Sequence, residues 1–82
     1  MQESFGEWLL KHATYVRKYR EFTRLLKKAR EEAGLRQDDA ARRLGKPQSF
    51  VSKCESGERR VDFIELLSFA ELYGKPTSYF QP

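Results

Sequence analysis

The 82 residues contain one cysteine, one histidine, one methionine and one tryptophan. A single cysteine excludes an internal disulfide and fits a reducing compartment. One histidine with no cysteine cluster leaves nothing to assemble a metal site, so no metal or other cofactor is expected. No run of 18 apolar residues occurs, which rules out a membrane-spanning helix of ordinary length. Leu9-Leu10 is too short for the core of a signal peptide, and a cytoplasmic, nucleoid-associated protein is expected. No segment alternates β-branched with polar residues, so no strand is expected. There is no glycine-rich phosphate loop and no nucleophile–base–orienter set, so the chain does not read as an enzyme. Prolines are also scarce: they stand at 47, 76 and 82, and no glycine or proline interrupts residues 7–33.

What is plentiful is charge. Lys and Arg number 16 against 12 Asp and Glu, a net charge of +4. The excess is uneven. Residues 1–60 carry a surplus of six cations, whereas 61–82 hold Lys75 against Asp62, Glu65 and Glu71. A surplus placed on one side of the chain suits a polyanionic partner.

The stretch Gln37–Gly57 organises the rest. Ala40, Ala41 and Leu44 recur at helical spacing, and Gly45 can take the left-handed conformation that ends a helix. Pro47 fits the first turn of a second helix, where its missing N–H costs nothing, and Gly57 stops that helix. Two helices joined by a short glycine turn make a helix-turn-helix. At about 100° per residue, Gln48, Ser49, Ser52 and Lys53 share one face of the second helix, and Phe50, Val51 and Cys54 share the other. The apolar face would dock and leave the polar one outward. Gln can pair with adenine, Lys with guanine, and Ser with several base edges, so this face carries the groups a major-groove reader needs. Cys54, beside Phe50 and Val51, reads as a core residue rather than a redox sensor.

The run LLKKAREEAGLRQDDAARRLGKPQSFVSKCESGERR, with a later helix through AELYG, resembles the Cro/C1-type (XRE-family) helix-turn-helix regulators. The likeness covers about Leu25–Phe80. It implies an all-α fold: a compact, five-helix, lambda-repressor-like domain, with the second helix resting its N-terminus on a phosphate and the third in the major groove. By that resemblance Gln37 is a phosphate contact, Gln48 and Ser49 are the first base readers and Lys53 a further one. Arg30 and Glu55 form an ion pair joining the first helix to the third. Two positions depart from the family pattern. Arg36 stands where Thr or Ser would cap the second helix, and Ala40 stands where a larger aliphatic is usual.

The flanks complete the reading. Ser4 and Glu7 have the spacing of a capping box, so a helix should begin there. Apolar positions then recur in steps of three and four from Phe5 to Leu26. One helix could span 5–33, or it could break near residues 12–14; two helices are the favoured reading, since a single one would project beyond so small a domain. Residues 1–18 are assigned as an N-terminal extension and 19–82 as the DNA-binding domain. Phe5, Trp8, Leu9 and Tyr15 are large and apolar; they pack on the same domain, near the gap at Ala40, or form a surface for a second copy or another protein. Arg17, Arg20, Arg24 and Lys27 share a face that is either a phosphate-contacting stripe or, as the favoured reading, a solvated outer face. Arg59 and Arg60 lie in the loop after the second motif helix, where arginine can fork onto DNA phosphate, and Lys46 is a further phosphate candidate. Asp62 and Glu65 should cap a fourth helix whose buried stripe is Phe63, Leu66, Leu67, Ala70 and Tyr73. The expected partners are double-stranded DNA and a second copy of the chain, with no membrane. The expected activity is transcriptional regulation, as a repressor on a palindromic operator. The alternatives are an antitoxin-type interaction module that uses the aromatic N-terminus, and a controller protein of a restriction–modification operon.

Overall fold

The computed structural model describes residues 4–82, and the side chains of Phe5 and Leu9 lie outside the described residues. These residues form four α-helices and one 3-10 turn, with no strand among them. The helices are α1 (Phe5–Glu32), α2 (Gln37–Leu44), α3 (Gln48–Ser56) and α4 (Phe63–Tyr73), and the turn is Thr77–Phe80.

Helix α1 is continuous, which corrects the favoured expectation of two helices. Its start is well fixed: the Ser4 hydroxyl accepts from the Glu7 N–H at 3.1 Å, and Glu7 reaches back to the Ser4 N–H. With no glycine or proline before Gly34, nothing relieves the helix of its i to i−4 bonds, and each added residue only propagates it. The projection argued against it does occur. The molecule measures 47 × 25 × 19 Å, and the long axis carries the first half of α1 past the domain. The boundary assigned at residues 18 and 19 falls inside this helix.

The second half of α1 supplies Leu26 and Ala29 to the core. Ala40 and Ala41 come from α2, Val51 and Cys54 from α3, Phe69, Ala70 and Tyr73 from α4, and Phe80 from the final turn. Ala40 is fully enclosed, so its small size leaves no surface there. The large side chains of this core come from the C-terminal part. Phe50 stacks on Phe69 with centroids 6.0 Å apart, Phe69 on Tyr73, and Phe80 meets the edge of Phe22. Trp8 and Tyr15 take no part and remain 44% and 48% exposed. The gap at Ala40 is therefore not filled by these two side chains. The positions of Phe5 and Leu9 lie outside what is described.

Helix α4 corrects a second expectation. Its capping box forms as read, with the Asp62 carboxylate accepting from Glu65 N–H at 2.7 Å. Its buried stripe, however, is Leu66, Phe69, Ala70 and Tyr73; Phe63 and Leu67 are 66% and 40% exposed. The segment FIELLSFAELY is apolar on nearly every side, so periodicity alone could not say which face turns inward. The inward face is the one that meets Phe50 and the end of α1.

Two long-range polar contacts tie the ends together. Lys75 pairs with Glu32 at 2.7 Å, and the Tyr19 hydroxyl accepts from the Val61 N–H at 3.0 Å. Leu26→Ala should cost about 2–5 kcal/mol of stability in urea unfolding, from a site with no exposure. Leu10→Ala, at a position 82% exposed, should stay within about 0.5 kcal/mol. Equal losses would mean that the first half of α1 is packed against the domain after all.

Candidate nucleic-acid interface

The turn between α2 and α3 is built by Gly45, whose φ of 67° is left-handed. That conformation lets the Lys46 N–H return to the Ala41 carbonyl at 2.9 Å. Pro47 is the residue before α3 rather than its first helical residue, one position earlier than the sequence suggests. Its extended backbone and missing N–H suit that place equally. Gly57, at φ 85°, ends α3. At the start of α2 the departure at Arg36 has a visible effect. No side chain there caps the helix from the N-cap position, and only the reverse half of the box remains, the Arg36 N–H donating to the Asp39 carboxylate at 3.0 Å. That hydrogen bond, with the nearby guanidinium, holds Asp39 below the usual carboxylate range.

Helix α3 is divided as its sequence suggests. Val51 and Cys54 are fully buried, and Phe50 is half-buried against Phe69. Burial raises the Cys54 thiol above its ordinary value, which keeps it protonated and unreactive. On the opposite face Gln48, Ser49 and Lys53 are exposed and Ser52 is half-buried. The structure thus brings the four expected readers onto one side of one helix. Among the described residues none of these four side chains makes a hydrogen bond or ion pair.

What fixes α3 in place is one carboxylate. The Arg30 guanidinium forks onto Glu55 at 2.6 and 3.0 Å and donates a third bond to the Leu35 carbonyl at 2.8 Å. Gln37 donates from Nε2 to the same Glu55 oxygen at 3.1 Å. The pair expected from the family likeness is therefore present, and both side chains are under 10% exposed. The contact from Gln37 was not legible, because it joins residues 18 apart through a fold that the sequence does not display. It consumes one amide N–H of Gln37 and leaves the second for an outside acceptor.

The loop cations are also partly engaged. Arg59 forks onto Glu65 with both bonds at 2.8 Å, lies over the Phe50 ring at 4.7 Å and donates to the Arg60 carbonyl. Arg60 sits over the Tyr15 ring at 5.4 Å and is otherwise exposed. Lys46 lies over the Phe50 ring, 5.3 Å from its centroid. Arg17, Arg20, Arg24 and Lys27 are exposed, with Arg24 paired to Glu21. His12 bonds through Nδ1 to the Trp8 carbonyl at 2.8 Å and stacks on the Trp8 ring.

These contacts generate two predictions. Glu55→Ala leaves the Arg30 guanidinium buried without its anion and should destabilise the fold by about 3–5 kcal/mol in urea unfolding. The Arg59 bonds hold Glu65 below its ordinary value of 4.5. A depressed carboxylate adds stability that is complete above that value and is lost as the pH falls through the folded-state pKa. Thermal unfolding followed between pH 6 and pH 3 should show this loss, and Glu65→Gln should flatten it; an unchanged profile in the variant would remove Glu65 from the account.

Comparison with known proteins agrees with the geometry. A family model described as a helix-turn-helix domain matches residues 21–78. A solved structure, an XRE-family like protein from Pseudomonas syringae pv. tomato str. DC3000, is 39% identical, with 88% of each chain covered and a TM-score of 0.80. No curated protein matches the chain. With its motif helices, its packed α3 and both likenesses in agreement, the chain belongs to the XRE family of helix-turn-helix DNA-binding regulators.

Proposed function

We propose that the protein binds a specific duplex DNA site through α3 and represses transcription by occupying it. The observation that carries this reading is the row of unengaged Gln48, Ser49, Ser52 and Lys53 on a helix whose other face is locked into the core. Side chains held on a rigid helix can discriminate bases, because each lost or misplaced bond costs about 1–3 kcal/mol. Gln37 would offer its second N–H to a phosphate, and Lys46 and Arg60 would add charged contacts at the two ends of the motif. Arg59, already forked onto Glu65, would hold the loop that presents Arg60 and add to the positive potential there. As a homodimer the protein would cover a palindromic operator with half-sites about 34–36 Å apart.

Exposed Trp8, Leu10 and Tyr15 favour a second reading, an antitoxin-type interaction module whose DNA binding is secondary. Selection from a randomised duplex library, followed by sequencing, separates the two. The first reading expects an enriched inverted repeat; salt-sensitive binding to every sequence with none enriched would overturn it. On the recovered site Gln48→Ala should lose about 1–3 kcal/mol and relax one base pair. Arg60→Ala should weaken all sequences alike and lower the slope of affinity against salt by about one phosphate contact. If Gln48→Ala changed neither affinity nor preference, α3 would not be reading bases through this face.

A further inference from the structure

Among the described residues two apolar faces are left largely uncovered, and they differ in charge. The first is the projecting half of α1, where Trp8, Tyr15 and Tyr19 line a cleft of about 630 Å³ closed on its far side by Gly57 and Arg60. The second is the outer side of α4, where Phe63, Ile64 and Leu67 are 66%, 68% and 40% exposed. At about 100° per residue these three occupy one arc of the helix, with Glu71 inside that arc. The cations Arg20 and Arg60 line the α1 cleft, whereas Arg17 and Lys18 lie on another side of the helix. The α4 face carries the opposite sign through Glu71, while Glu65 lies on the far side of the helix and is held by Arg59.

We infer that these two faces are made for each other in a second copy of the chain: each α1 arm docks on the α4 face of its partner, twice, about a two-fold axis. This rests on the homodimer reading given above and names its interface. Charge selects the pairing. Arm against arm would oppose cation with cation, and α4 against α4 would set Glu71 near its own copy. Arm against α4 joins opposite signs, and like charges in register are unfavourable. Area supports the reciprocal form. A stable interface buries about 1,200–2,000 Å² in all, more than one patch of three side chains supplies, and a reciprocal contact doubles what a single arm and face bury. Position allows it as well. The bond from Val61 N–H to the Tyr19 hydroxyl places the start of α4 at the base of the arm, so the arm and α4 lie close together in the chain, as a reciprocal exchange requires. Self-docking within one chain would need α1 to fold back on itself, and it is one continuous helix from Phe5 to Glu32.

Cross-linking tests this directly, since the native Cys54 is buried and will not react. Tyr15→Cys and Ile64→Cys variants, mixed and treated with a short bismaleimide, should give a covalent dimer of about twice 9.7 kDa. Each variant alone should give little. Comparable cross-linking in either variant alone would replace the pairing by arm–arm or α4–α4 contact and overturn the inference. Light scattering should show a dimer for the native chain and a monomer for Ile64→Arg and for Trp8→Ala, with helical content retained. A dimer that survives both substitutions also overturns it. Library selection distinguishes the two levels of failure. An inverted repeat recovered without the mixed cross-link leaves the homodimer standing and removes the arm from it. A single half-site bound by a monomeric chain removes the homodimer itself and leaves both faces to another protein.

Discussion

The Glu55 carboxylate is the point on which the arrangement of α1, α2 and α3 depends. Placed at the end of the reading helix, it receives two bonds from Arg30 of α1 and one from Gln37 at the start of α2. Arg30 in turn holds the Leu35 carbonyl between those helices. An ion pair so enclosed does not by itself add much stability, because taking both charges out of water offsets most of their attraction. Its value is directional. Guanidinium and carboxylate meet in one planar fork, and the fork sets how α3 is turned about its own axis. An error of one residue in that turn, about 100°, would point Phe50 outward and Gln48 inward. The apolar contacts behind α3 make the helix adhere to the domain, and the fork makes it adhere in one orientation.

The same pattern of a packed back and a polar clamp recurs where Arg59 grips Glu65 above the Phe50 ring. Here a loop is held rather than a helix. A loop of alternating charge would otherwise sample many conformations, and the bonds leave Arg60 as the loop cation turned toward solvent and Tyr15. Both clamps bear on the C-terminal end of α3, the first enclosed at Glu55 and the second half-exposed at Arg59 just beyond it.

How much of this was legible in the sequence depended on how local its cause was. The capping boxes at Ser4 and Asp62 and the glycine stops at 34, 45, 57 and 74 follow from a few adjacent residues, and they appear where the residues put them. The polar and apolar faces of α3 were equally plain, because nine residues alternate cleanly between the two. Two features escaped. The continuity of α1 was misjudged by an appeal to the size of the domain, although the uninterrupted run from 7 to 33 already allowed it. The inward face of α4 could not be chosen, since Phe63, Ile64, Leu66, Leu67 and Phe69 crowd almost its whole circumference. Such a helix is resolved only by what it meets. Of the site, the four reading positions were visible, whereas the engagement of Gln37 and Arg59 by carboxylates on other elements was not.

An unbroken α1 also has a consequence in time. Its second half is pinned by Leu26, Ala29 and Arg30, so amide protons there can exchange with solvent only when the whole domain opens. Among the described residues its first half buries no side chain in the core, and it can uncoil turn by turn from the front, each lost turn costing little more than its own hydrogen bonds. One helix therefore spans a gradient from the slowest motions of the molecule to some of its fastest. An arm of this kind searches a wide volume at small cost, and it becomes as slow as the core only when something holds its far end.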